Sequence, residues 1–172
     1  IILVTSGAIA AGIDRMRLSR KPDTIPENQA LAAIGQGVLM HAYEKFFAEY
    51  GKTMAQLLLT RADAADAHAR ENSRNSLMAI LNMGAIPVIN ENDAVAVDEI
   101  RIGDNDNLSA IVATLIDAEL LIILTDIDGF YTDNPKLNPA ARLIDEIEEL
   151  TPEIERLAGG PGTKLGTGGM YT

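Results

Sequence analysis

Short apolar runs alternate with longer amphipathic stretches along this chain. Residues 1–4, 54–59, 86–89 and 120–124 are largely aliphatic and lack a sustained polar alternation, the pattern of strands covered on both faces. Each run ends in a polar or glycine-containing turn: Thr5-Ser6-Gly7, Thr60-Arg61-Ala62-Asp63, Asn90-Glu91-Asn92-Asp93 and Thr125-Asp126-Ile127-Asp128-Gly129. Helical periods fill the intervals. Thr24-Ile25-Pro26-Glu27 has the Thr-x-x-Glu form of a capping box. Beyond it Leu31, Ile34, Val38, Ala42 and Phe46 fall on one helical face, and Gly51 supplies a stop. A second helix is predicted from about 64 to 82, with Leu77, Ile80 and Leu81 inward and Gly84 closing it. A third runs from 108 to about 117, and a fourth starts at Thr151-Pro152, a cap followed by proline at the first helical position. Strands alternating with helices imply βαβ units, hence an α/β fold with a mainly parallel sheet. Ligands of such sheets sit beyond the carboxyl ends of the strands. That rule puts Ser6, residues 90–93 and residues 125–128 on one rim.

Composition narrows the choices. The length of 172 residues suits one domain. Twenty-five Asp and Glu against 14 Lys and Arg leave a net charge of −11, which disfavours nucleic acid and anionic membranes as partners. Cysteine is absent, so disulfide and thiolate chemistry are excluded and a reducing, cytoplasmic setting is expected. No apolar run approaches transmembrane length. The opening Ile-Ile-Leu-Val is too short for a signal peptide and has no basic flank. A chain that begins inside a strand-like run is expected to be a piece of something longer.

Several motifs offer chemistry. Gly103-Asp104-Asn105-Asp106-Asn107 packs two carboxylates and two carboxamides directly before the helical positions Leu108, Ile111, Val112 and Leu115. One helix cap needs one such residue, and the surplus suggests a polar site at a helix N-terminus; a well-solvated cap would leave the same pattern. Thr5-Ser6-Gly7-Ala8-Ile9-Ala10-Ala11-Gly12 opens a helix-like stretch after a strand, and its small residues let a ligand approach the backbone. It lacks the lysine of a Walker A loop, and a tight strand-to-helix turn is its alternative. Asn90-Glu91-Asn92-Asp93 could hold an ammonium through Asp93 and a carboxylate through the amides, or be an acidic turn. Residues 125–129 fail the calcium-loop pattern, with glycine at the fourth position and Pro135 interrupting; a turn touching a nucleotide and a plain turn both remain. Leu165-Gly166-Thr167-Gly168-Gly169-Met170 could wrap phosphates through backbone N–H groups, or serve as a linker. His41 and His68 lie in helical stretches far apart, and surface or core roles suit them. The sequence shows no metal-ligand cluster.

The order of the motifs says more than any one of them. Residues 4–12, 57–63, 87–95, 103–110, 124–131 and 165–170, as quoted or implied by the runs above, closely resemble the amino acid kinase family over essentially the whole chain. The asparagine-rich pair, 87–95 and 103–110, sets the chain apart from the aspartate, uridylate and acetylglutamate kinases of that family and aligns it with the glutamate-phosphorylating branch. The resemblance implies an αβα sandwich around a mainly parallel sheet. It implies phosphorylation of the L-glutamate side-chain carboxylate by ATP with Mg²⁺, giving glutamyl 5-phosphate, the first step of proline synthesis. By motif, Ser6, Asp93 and Asn105 would hold glutamate, and Thr125 and Asp126 would touch the nucleotide. Thr167, Gly168, Gly169, Met170, Tyr171 and Thr172 would belong to the loop that follows the ATP phosphates. Asp106 would be the acidic residue that orients the catalytic lysines, and Mg²⁺ would be held mainly by ATP rather than by a protein cage. Feedback by proline and a homo-oligomer are typical of the branch, with the helical region 31–50 as a candidate subunit contact.

Departures shape the expectation. The branch carries a Lys-x-Gly-Ser/Thr-Ser/Thr strand motif that would precede Ile1, and a second catalytic lysine that would follow Thr172. Lys164 does not occupy that place, and the frequent C-terminal PUA domain has no counterpart here. Residues 1–172 are thus expected to be an amino acid kinase domain truncated at both ends, inactive alone. The competing readings are a non-catalytic glutamate- or proline-binding fragment and a related kinase for another substrate.

Overall fold

The computed structural model describes residues 1–95, 105–125, 128–135 and 137–158. The chain divides into two compact units, residues 1–121 and 122–172.

The first unit is built in the order β1 (Leu3–Val4), α1 (Ala8–Arg15), α2 (Ile25–Glu49), β2 (Met54–Leu59), α3 (Arg61–Ala65), α4 (Ala67–Asn82), β3 (Ile86–Glu91) and α5 (Asn105–Leu115). Its sheet is parallel with β3 in the middle, flanked by β1 and β2. The register sets Val4 beside Ile89 and Leu59 beside Glu91. Central position explains the composition of β3: with a neighbour on each edge and helices on its faces, five of its six residues are buried.

Residues alternate across a strand, and β3 shows what lies on each side. Ile89 joins Leu59, Leu77, Leu108, Val112 and Leu115 in the core shared with α4 and α5. The next residue, Asn90, hydrogen-bonds Gln36 of α2. Helices therefore cover both faces, an incomplete αβα arrangement as expected.

The sequence pattern misplaced the inner face of α2. Leu31 is buried as expected, but Ile34 and Val38 are partly exposed and Phe46 is 61% exposed. The buried stripe is Asn28, Leu31, Ala32, Gly35, Gln36 and Met40. Its cause is the closeness of α1: a Cβ on Gly12 would overlap the Leu31 carbonyl, and one on Gly35 would overlap the Ala8 carbonyl. Backbones that near admit only small residues between them, and the bulkier aliphatics face outward. The start of α2 follows its capping signal, with the Thr24 hydroxyl accepting from the Glu27 N–H at 3.4 Å.

Two further expectations need correction. The helix predicted over 64–82 is split at Asp66, whose extended backbone (φ −78°, ψ 127°) ends α3 and caps α4, accepting from the Ala69 N–H at 2.7 Å. The short α3 has its own capping box between Thr60 and Asp63. The apolar run 120–124 forms no strand, and Leu120, Ile122 and Leu124 are 70–90% exposed. Aliphatic composition favours a buried strand only where a sheet edge is there to pair with it; among the described residues none does. At its near end, α5 reaches back further than the expected start at 108, so Asn105, Asp106 and Asn107 form its first turn.

In the second unit β4 (Phe130–Tyr131) pairs antiparallel with β5 (Leu143–Ile144), and α6 (Pro152–Ala158) follows. The expected cap holds: the Thr151 hydroxyl accepts from the Ile154 N–H at 3.4 Å. No helix among the described residues is long and apolar enough to cross a membrane.

Candidate active site

Parallel strands end together, and two backbone bonds carry the pairing past the ends of the ladder. The Thr5 N–H donates to the Ile89 carbonyl at 2.8 Å, and the Asn92 N–H to the Leu59 carbonyl at 2.9 Å. The residues that follow β1, β2 and β3 are thereby gathered on one rim. On this rim the chain turns from β1 into α1 through Gly7, whose φ of 94° lies in the left-handed region that glycine enters freely. Ser6 is exposed just before the turn, and Ala8 is buried just after it.

A cavity of about 180 Å³ opens beside these strand ends. Ala8, Ala32 and Ala33 give it small-residue walls, and Gln36, Glu91 and Asp93 give it polar ones. Small side chains on α1 and α2 create the space, and the strand end of β3 supplies the carboxylates. Glu91 is only 8% exposed.

A chain of carboxamides runs behind the cavity. Asn90, 1% exposed, accepts at Oδ1 from the Glu91 N–H at 2.9 Å and from Asn105 Nδ2 at 3.3 Å. Its Nδ2 donates to Gln36 Oε1 at 2.8 Å. Three elements, α2, β3 and α5, are tied together by these bonds. Asn105 Oδ1 and Gln36 Nε2 are left buried without a hydrogen-bond partner. Thr5, also buried, shares a 2.7 Å hydrogen bond with the Tyr43 hydroxyl, a second polar link between the strand ends and α2.

The sequence profile described as the amino acid kinase family matches residues 1–172. The chain belongs to the amino acid kinase family. Among its relatives are proteins named glutamate 5-kinase from Moorella thermoacetica and Clostridium acetobutylicum, each 57% identical over all 172 residues. Another, from Clostridium perfringens, is 52% identical over 176 aligned positions. The chain spans 46% of the Moorella protein's length, 64% of the acetobutylicum protein and 65% of the perfringens one.

In this amino acid kinase family chain the expected site residues fall into separate groups. Ser6 ends the segment after β1, Asp93 lines the cavity, Asn105 bonds to Asn90, and Asp106 sits beside Asn105 in the first turn of α5; all belong to the first unit. Thr125 belongs to the second unit, where it is exposed in a coil segment rather than carried on a strand. Asp126, Thr167, Gly168, Gly169, Met170, Tyr171 and Thr172 lie outside the described residues. Sequence reasoning passed over Gln36. The signal was present: Asn28, Ala32 and Gln36 recur every four residues on α2, so two amides and a small residue share a face with Leu31.

Proposed function

We propose that the protein transfers the γ-phosphoryl group of ATP to the side-chain carboxylate of L-glutamate, giving glutamyl 5-phosphate for proline synthesis in the cytoplasm. The observation that carries this reading is the strand-end cavity. It combines small walls with adjacent carboxylates and carboxamides, complementary to the ammonium and carboxylate of an amino acid. The names of the relatives favour glutamate among amino acids. Residues 1–172 are taken together as one amino acid kinase domain.

On this reading Asp93 receives the substrate ammonium, and Ser6 and Asn105 orient the carboxylates. A glutamate γ-carboxylate is already ionised at neutral pH, so the nucleophile needs no general base. One carboxylate oxygen forms the new bond to the γ-phosphorus as the bond from that phosphorus to ADP breaks. The obstacle is charge. Two unit charges about 4 Å apart repel by roughly 4 kcal/mol at an effective dielectric of 20. Positioning and positive charge must offset this. Asp106, in the first turn of α5, is assigned to orient the cationic groups, and Thr125, Asp126 and residues 167–172 to the nucleotide. Among the described residues no group of three or more His, Asp or Glu is placed to hold a metal ion. On this reading Mg²⁺ arrives with the nucleotide and is held mainly by ATP. Proline as feedback ligand and a homo-oligomer belong to the same reading; the exposed Ile34, Val38 and Phe46 on α2 offer an apolar contact surface.

The test is ATP-dependent acyl-phosphate formation by the full-length protein, trapped as the hydroxamate, with glutamate, aspartate, acetylglutamate and UMP as acceptors. Turnover with glutamate well above the others is expected. Binding of glutamate without turnover, or preference for another acceptor, would overturn the assignment.

A further inference from the structure

We infer that Gln36, on α2, is a further substrate-binding residue: its Nε2 donates a hydrogen bond to the α-carboxylate of the amino acid in the strand-end cavity. The inference rests on the amino-acid-binding reading above and adds to it the group that recognises the α-carboxylate.

The argument begins with a backbone group. An amide side chain can face either way, but the Glu91 N–H can only donate, and it meets Asn90 at 2.9 Å. That atom of Asn90 must be Oδ1. Asn90 Nδ2 then points to Gln36, and Gln36 must answer with its oxygen, Oε1, at 2.8 Å. The glutamine cannot flip without setting two donors against each other. Its Nε2 is thus committed to the opposite side, where it has no hydrogen-bond partner although the residue is only 9% exposed. The same side chain lines the cavity. A donor held by a fixed network and buried without a partner, on a residue that borders the cavity, calls for an acceptor from outside.

The neighbours narrow the acceptor. Glu91 and Asp93 line the same cavity and suit an ammonium group. In an amino acid the carboxylate attached to the ammonium-bearing carbon lies within reach of an adjacent donor, and the side-chain carboxylate is directed elsewhere. Gln36 therefore reads the α-carboxylate, and the amide chain makes it a donor without adding charge beside the reaction.

Gln36→Glu is the first variant, because its carboxylate keeps an acceptor for Asn90 Nδ2 while the outward donor becomes an acceptor; it also adds a negative charge, so the discriminating readout is the substrate preference. Steady-state kinetics of the full-length protein should show KM for glutamate raised roughly tenfold to a hundredfold, the usual range for losing a hydrogen bond to a charged group. KM for ATP should move far less. The variant should also shift preference from glutamate towards its α-amide, isoglutamine, which presents an N–H where glutamate presents an oxygen; a purely structural role would not move that ratio. Gln36→Met, of similar size and without a donor, should raise KM for glutamate without the shift to isoglutamine, and thermal melting checks that both variants fold. If the wild type neither binds nor phosphorylates glutamate, the functional reading and this inference both fall. If the wild type is active and Gln36→Glu leaves KM and the glutamate-to-isoglutamine preference unchanged, this inference alone is overturned.

Discussion

Gly35 of α2 presses its bare Cα against the Ala8 carbonyl of α1, leaving no room for a methyl group between them. Both helices contribute walls to the strand-end cavity, Ala8 from one and Ala32, Ala33 and Gln36 from the other. The spacing of the two backbones thus sets the width of the site. Gly35→Ala should cost about 1–3 kcal/mol in a denaturant titration, the usual range for overpacking, and should weaken glutamate binding as α2 is pushed away. Gly37, whose added Cβ would meet nothing within 4 Å, provides the control. Gly37→Ala should hold or raise stability by up to about 1 kcal/mol through the lower helix cost of alanine.

The core beneath the sheet answers to Leu77. It is fully buried against Ile89, Leu108 and Val112, and so joins α4 to β3 and α5. Leu77→Ala should lower unfolding free energy by about 2–5 kcal/mol, the range for an aliphatic truncation that leaves a cavity. A loss well under 1 kcal/mol by urea unfolding would mean that this core is not the one that holds the unit together.

Asp93 tests the recognition of the ammonium group. Asp93→Asn keeps the shape of the cavity wall and removes a charge. KM for glutamate in the full-length protein should rise at least about tenfold, since hydrogen bonds to charged groups are worth more than neutral ones. KM for ATP should change little. Equal effects on both substrates would place Asp93 outside the amino-acid pocket.

Asp133 gives a pH signature in the hairpin unit. Its carboxylate accepts from Asn138 Nδ2 and from the Asn134 N–H, both at 2.7 Å, and these bonds hold its pKa below the ordinary aspartate range. A carboxyl group lowered on folding contributes its stabilisation above its unfolded pKa and loses it as pH falls through the folded one. The contribution of these bonds to the turn after β4 should therefore persist above the ordinary aspartate range and be lost only as pH falls below it. An NMR titration of the Asp133 carboxyl should give a midpoint below that of an unperturbed aspartate, and Asn138→Ala should move it up. A midpoint at or above that value in the unaltered protein would refute the assignment.

Much of this was legible in the sequence, and the failures share a cause. The runs at 54–59 and 86–89 and the Thr24 and Thr151 caps announce themselves locally, because backbone pairing and capping use neighbouring residues. The turn expected at 90–93 starts later, because Asn90 and Glu91 are still paired with β2 as the last two residues of β3. The inner face of α2 does not. Hydrophobicity pointed to Ile34, Val38 and Phe46, whereas the neighbour is a helix so near that Gly35 and Ala32 must face it. The break at Asp66 was hidden because aspartate is tolerated within a helical period, and only its extended ψ makes it a cap. Residues 120–124 have strand composition, yet a strand is a property of pairing, not of one segment. Gln36 went unnoticed because its meaning lies in the orientation of Asn90, 54 residues away.

The most direct measurement is a crystal structure of the full-length protein soaked with L-glutamate. The account predicts glutamate in the cavity between α2 and the end of β3, its ammonium against Asp93 and its α-carboxylate within hydrogen-bonding distance of Gln36 Nε2. Glutamate bound elsewhere on the molecule, with this cavity holding only water, would contradict it.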